Sequence, residues 1–140
     1  MATARKPGPR RKSARRPAAP ALSPLVRICL AVLAVSALTI GVLASFVPET
    51  FYEDYPFKRS FWVYARGLGF GLLFAWSLIR PSVELIVPVC IAWALAQVLH
   101  FAFHIDHLEG FSTTDSIAQT IGLAAFVVLA LIPVAALKPK

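Results

Sequence analysis

The sequence predicts an all-α integral membrane protein, an antiparallel four-helix bundle, and three observations carry that expectation. Of 140 residues, 58% are apolar and only 15% charged, with a mean hydropathy of +0.70, which excludes a soluble globular domain. Four apolar runs, residues 25–47, 61–79, 83–105 and 116–137, match the roughly 20 helical residues that cross a hydrocarbon core about 30 Å thick. The segments between them are too short for a separate soluble domain, and the cost of unpaired backbone in lipid leaves only helices or closed barrels as spanning structures.

Residues 1–24 precede the first run. They hold Arg5, Lys6, Arg10, Arg11, Lys12, Arg15 and Arg16 among five prolines, a composition that builds no core and is expected to be a disordered basic tail. Beside a membrane such an arm is drawn to anionic lipid headgroups, at about 1 kcal/mol for each basic residue near the surface. Nucleic acid is not an expected partner, since no aromatic side chain accompanies the charges to stack on bases.

The first run, 25–47, carries Arg27 near its start and small residues at Ala37, Gly41 and Ser45. An Arg-rich start before an apolar stretch also fits a cleavable leader. The run continues unbroken to Val47, however, which suits an uncleaved anchor. The second run, 61–79, carries Gly67 and Gly71. Small residues four apart line one stripe and let two helix backbones approach closely in lipid. The segment Gly67-Leu68-Gly69-Phe70-Gly71 follows no strand and lies inside an apolar helix, so packing rather than nucleotide binding explains it. Arg80-Pro81-Ser82 makes a tight turn into the third run, 83–105, where Pro88 is expected to loosen the helix. The fourth run, 116–137, follows Ser112-Thr113-Thr114-Asp115, an N-capping cluster with an acid in the first turn, so the fourth helix is expected to begin there. Cys29 and Cys90 both fall in hydrocarbon and imply no disulfide framework.

Charge sets the expected orientation, because Lys and Arg in short flanking segments stay cytoplasmic. One side holds the tail with Arg27, Arg80, Lys138 and Lys140 against the single acid Glu84. The other holds Lys58, Arg59 and Arg66 against Glu49, Glu53, Asp54, Asp106, Glu109 and Asp115. Both termini are therefore expected in the cytoplasm of a cell-membrane protein, with two acidic loops outside. The first outer loop begins Pro48-Glu49, which suits a short interfacial helix ending before Pro56. Arg66 lies about one turn inside the second run, beside Phe61, Trp62 and Tyr64. It needs either a route to the headgroups or a partner, and the outward acids are the partners at hand.

One constellation could carry chemistry. All three histidines, His100, His104 and His107, lie within eight residues. With Gln97 at zero they fall at about 300°, 340° and 280° around a helix, so four polar groups share one stripe. On the fourth run Asp115, Gln119 and Gly122 form a second stripe at matching depth. Polar stripes in hydrocarbon are expected to face each other or a wet cavity. Three readings fit. In the first, Gln97, His100, His104, Asp115 and Gln119 stabilise the interior of a non-enzymatic accessory or ligand-binding module. In the second, His100, His104 and His107 hold a transition metal or haem in a redox protein, with Asp115, Glu49 or Glu53 completing or orienting the ligands. In the third, the stripe relays protons in a small carrier, which needs a homo-oligomer because four helices enclose little space.

Two motifs add a resemblance: Phe51-Tyr52-Glu53-Asp54-Tyr55-Pro56 followed by Phe61-Trp62-Val63, and His100, His104, His107 and Leu108 closing the third run. Over about residues 40 to 137 the chain resembles a family of small four-span membrane proteins common in actinobacteria. The resemblance implies a four-span fold and no established activity. Family members often carry an Asn-Glu-His segment just after the Trp-Val pair. Here Tyr64-Ala65-Arg66-Gly67 stands in its place, without the additional ligand.

Overall fold

The computed structural model describes residues 21–46, 61–105 and 113–137, with the side chains of 61–65, 103, 104 and 115 excepted. These residues form four helices: α1 (Pro24–Phe46), α2 (Phe61–Ile79), α3 (Val83–Ile105) and α4 (Thr113–Ala136). Three of them contain stretches long and apolar enough to cross a membrane, at Pro24–Phe46, Val83–Ala102 and Ser116–Ala136. In α2 the apolar stretch Arg66–Ile79 is shorter. The secondary structure of the described residues is thus all-helical and suited to membrane insertion. The expected basic tail up to residue 20, the helix from Pro48 and the second outer loop lie outside the described residues.

Local chemistry sets the helix ends. Ser23 caps α1: its hydroxyl accepts the Val26 N–H at 3.3 Å and its carbonyl the Arg27 N–H at 3.1 Å, while Pro24 occupies the first helical position, where its missing N–H costs nothing. The turn between α2 and α3 is as short as expected. The Arg80 N–H closes on the Trp76 carbonyl at 2.8 Å, and the Ser82 carbonyl accepts from both Leu85 and Ile86, at 3.2 and 2.9 Å. Arg80 also lies 6.0 Å from the Trp76 ring centroid, a cation–π contact one turn apart. α4 begins at Thr113, within the capping cluster where the helix was expected to start, so Thr113, Thr114 and Asp115 build its first turn ahead of the apolar run from 116. Pro133 lies inside α4, and its effect on that helix was not read from the sequence.

The core gathers Val26, Leu30, Leu33, Phe74, Ile86 and Cys90, and both cysteines are buried and unbridged. Leu25, Ile28, Val35, Leu72, Leu99 and Ile121 face outward, an arrangement that suits lipid better than water. Helical hydroxyls are satisfied by their own backbone: Ser45 donates to the Gly41 carbonyl at 2.7 Å and the buried Ser77 to that of Leu73 at 2.8 Å.

The most extensive helix contact joins α1 to α2, and the next joins α3 to α4. α1 meets α4 less extensively, and α2 meets α3 least among the four main pairs. Glycines form the first seam, as their spacing predicted. A methyl group placed on Gly67 would lie 2.8 Å from the Ala37 carbonyl oxygen and 3.3 Å from the Gly41 nitrogen. One on Gly41 would lie 2.5 Å from the Leu68 nitrogen, and one on Gly71 would meet Leu38 at 2.6 Å. At Gly67 the neighbours are all backbone atoms, so no side chain can swing away to make room there. Gly69, on the other side of α2, has open space around it. Gly67→Ala is therefore expected to destabilise the protein by about 1–3 kcal/mol, whereas Gly69→Ala stays within about 0.5 kcal/mol. Detergent-titrated unfolding followed by circular dichroism separates them, and equal stability of the two variants would show that the seam is not tightly packed.

Candidate functional site

The polar residues singled out by the sequence cluster toward one end of α3 and α4. Gln97 is 5% exposed, one of two buried polar residues among those described. His100, one turn further along α3, is half-buried. Arg66 comes from α2 and is also half-buried; its Nη2 donates to the Ala96 carbonyl at 3.4 Å. The guanidinium thus reaches sideways onto α3, beside Gln97, a contact that neither the headgroup route nor an acid partner anticipated. A helical carbonyl already bonded within its helix keeps a second lone pair, so this bond costs α3 nothing.

On α4, Gln119 and Ser116 are half-buried, and Arg66, His100, Ser116 and Gln119 are all engaged in interactions. Two grooves run between α3 and α4. One, of about 340 Å³, is lined by Phe101 and Ile105 opposite Ser116, Gln119 and Thr120. The other, of about 290 Å³, is lined by Gln97 and Phe101 opposite Thr120, Leu123 and Val127. Gln97 and Gln119 therefore line adjoining grooves, and Phe101, Thr120 and Leu123 belong to both. None of these three shared residues was singled out from the sequence. Thr120 carried a usable signal, four residues from Ser116, but its hydroxyl donates to the Ser116 carbonyl at 2.8 Å.

The side chains of His104 and Asp115, and all of His107, lie outside the described residues, and with them the expected three-histidine metal or haem set. Among the described residues, no three His, Cys, Asp or Glu side chains come together.

Beneath the polar cluster lies an aromatic one that the sequence does not reveal, since the Phe70–Phe74 pair, four apart on α2, is completed only by Trp93 of α3 and Phe126 of α4. Trp93 of α3 sits edge-on to Phe70 and Phe74 of α2, at 5.1 and 5.8 Å between centroids, and to Phe126 of α4 at 6.1 Å. Three helices meet on this one ring, and each such pair adds about 0.5–1.5 kcal/mol beyond area burial. The Trp93 indole N–H is buried without a hydrogen-bond partner. No family model matches the chain, and neither curated proteins nor solved structures give a significant match.

Trp93→Ala is expected to cost about 3–5 kcal/mol by emptying the junction. Trp93→Phe keeps most of the ring contacts and removes the unmatched N–H, so it should cost well under half of that. Thermal unfolding in detergent tests the pair, and a Phe variant as unstable as the Ala variant would show that the indole is held by something other than ring packing.

Proposed function

We propose that the chain is a cell-membrane protein whose four helices pack as an antiparallel bundle, with both termini in the cytoplasm, and that it acts as a non-enzymatic accessory or ligand-binding module. The observation that carries the reading is the polar cluster itself. A buried glutamine, an arginine bonded to the backbone beside it and a half-buried histidine one turn further along α3 lie on otherwise apolar helices, where polar groups are costly and functional more often than structural. Arg66 gives α2 a polar tie to α3 that complements the glycine seam with α1. The antiparallel order is supported by that seam, where Ala37 and Leu38 meet Gly67 and Gly71 while Gly41 meets Leu68. Orientation is supported by the charge bias, with eleven basic residues and one acid on one side. The basic tail then lies against anionic headgroups of the inner leaflet.

Reporter fusions at residues 56 and 110 are expected to read outside and fusions at either terminus inside; a cytoplasmic signal from 56 or 110 would overturn the topology. Elemental analysis and an absorbance spectrum of the purified protein are expected to show no metal or chromophore near one per chain. A stoichiometric metal or haem, lost in His100→Ala with His104→Ala, would replace this reading with the redox one.

A further inference from the structure

The stretch of α3 from Trp93 to His100 carries more polarity than its depth accommodates. Trp93, Gln97 and His100 are spaced by four and three, so they share one stripe of the helix. Gln97 lies three residues past the middle of α3, roughly 5 Å along the axis, and about 12 Å short of the Ile105 end. Gln97 is only 5% exposed. One turn deeper the Trp93 indole N–H is buried without a hydrogen-bond partner. An unmatched polar group in hydrocarbon costs several kcal/mol.

Gln97 opens onto the groove of about 290 Å³, walled by Val98, Phe101, Leu123 and Val127. That volume is at the small end of ligand sites, which run from about 300 to 1,000 Å³. In a bilayer such a groove opens to acyl chains rather than to water. Its occupant is therefore apolar along most of its length, with one hydrogen-bonding group to match the carboxamide. Depth and charge narrow the class. The ester carbonyls of phospholipids stay near the polar boundary, about 12 Å from Gln97 if that boundary lies at the helix end. An ionised fatty acid would have to shed its charge to descend so far. A neutral ring carbonyl on an apolar chain faces neither obstacle.

We propose that the groove between α3 and α4 binds a neutral chain-bearing carbonyl lipid of the quinone type, with Gln97 donating to a ring carbonyl and the chain lying along Val98, Phe101, Leu123 and Val127. The inference concerns binding alone and rests on the membrane-bundle reading above. The ring and the start of the chain fill the groove, and the rest of the tail continues into lipid.

The test uses the full chain in phosphatidylcholine–phosphatidylglycerol nanodiscs, titrated with decylubiquinone, which quenches a nearby indole. Trp62→Phe and Trp76→Phe leave Trp93 as the reporter. Saturable quenching is expected. Gln97→Leu, which loses the donor at similar volume, is expected to weaken binding about tenfold. Ala124→Phe, at an exposed wall position of the same groove, is expected to abolish it while leaving the carboxamide and the core intact. Quenching that rises linearly with quinone, or that is equal in all three proteins, would overturn the inference. So would a stable dimer in detergent that Ala124→Phe splits and decylubiquinone leaves unquenched, since a second copy would then occupy the groove. Alkaline carbonate extraction separates the two levels. A chain released by carbonate refutes the membrane reading, while a retained chain without saturable quenching refutes only the quinone site.

Discussion

The backbone contact between Gly67 and Ala37 is the constraint from which the rest of the packing follows. In water, helices are pressed together because their apolar faces leave solvent; in lipid that drive vanishes, and close van der Waals contact has to replace it. A seam whose glycines bring the two backbones into contact gains such contacts through close approach of the helices. It also places α1 and α2 in fixed register, because Gly67 fits against Ala37 and Gly41, Gly41 against Gly67 and Leu68, and Gly71 against Leu38. Phe70 and Phe74 are carried on α2, so the position of α2 against α1 sets where the aromatic junction with Trp93 can form.

Polar groups are arranged with the opposite economy. Hydroxyls at Ser45, Ser77 and Thr120 are closed onto the preceding turn of their own helices, which removes them as specific contacts between helices. Arg66 places one of its donors on the backbone of α3. Gln97 lines one α3–α4 groove, and Ser116 and Gln119, both engaged in interactions, line the adjoining one. The polar side chains of these grooves are thus concentrated in a short interval of α3 and the facing part of α4, within walls that are otherwise hydrocarbon-like.

Much of this was legible in the residues. Apolar runs of bilayer length give the four helices to within a few residues, because length and hydrophobicity act over many positions and average out local error. The glycine spacing in α1 and α2 gave the seam, because a stripe of small residues in lipid has one common physical use. Two things were not legible. The sideways reach of Arg66 to the Ala96 carbonyl depends on which neighbour stands beside α2, information that no single helix contains. The meeting of Phe70, Phe74, Trp93 and Phe126 depends on three helices at once, and large apolar side chains are too common here for any one of them to stand out. Thr120 escaped for a related reason: the stripe through Asp115 and Gln119 was the more polar, yet the groove beside Gln97 is lined by the neighbouring face.

The two strongest helix contacts, α1 with α2 and α3 with α4, both join chain neighbours. Contacts between nearby segments close with little loop entropy. A nascent chain can therefore zip its first hairpin at the glycines while the ribosome is still producing α3, and the second hairpin joins as a preformed unit. Docking of the halves then falls largely to Trp93 and to the α1–α4 contact, which makes that late step, rather than the making of either hairpin, the one most exposed to mutation.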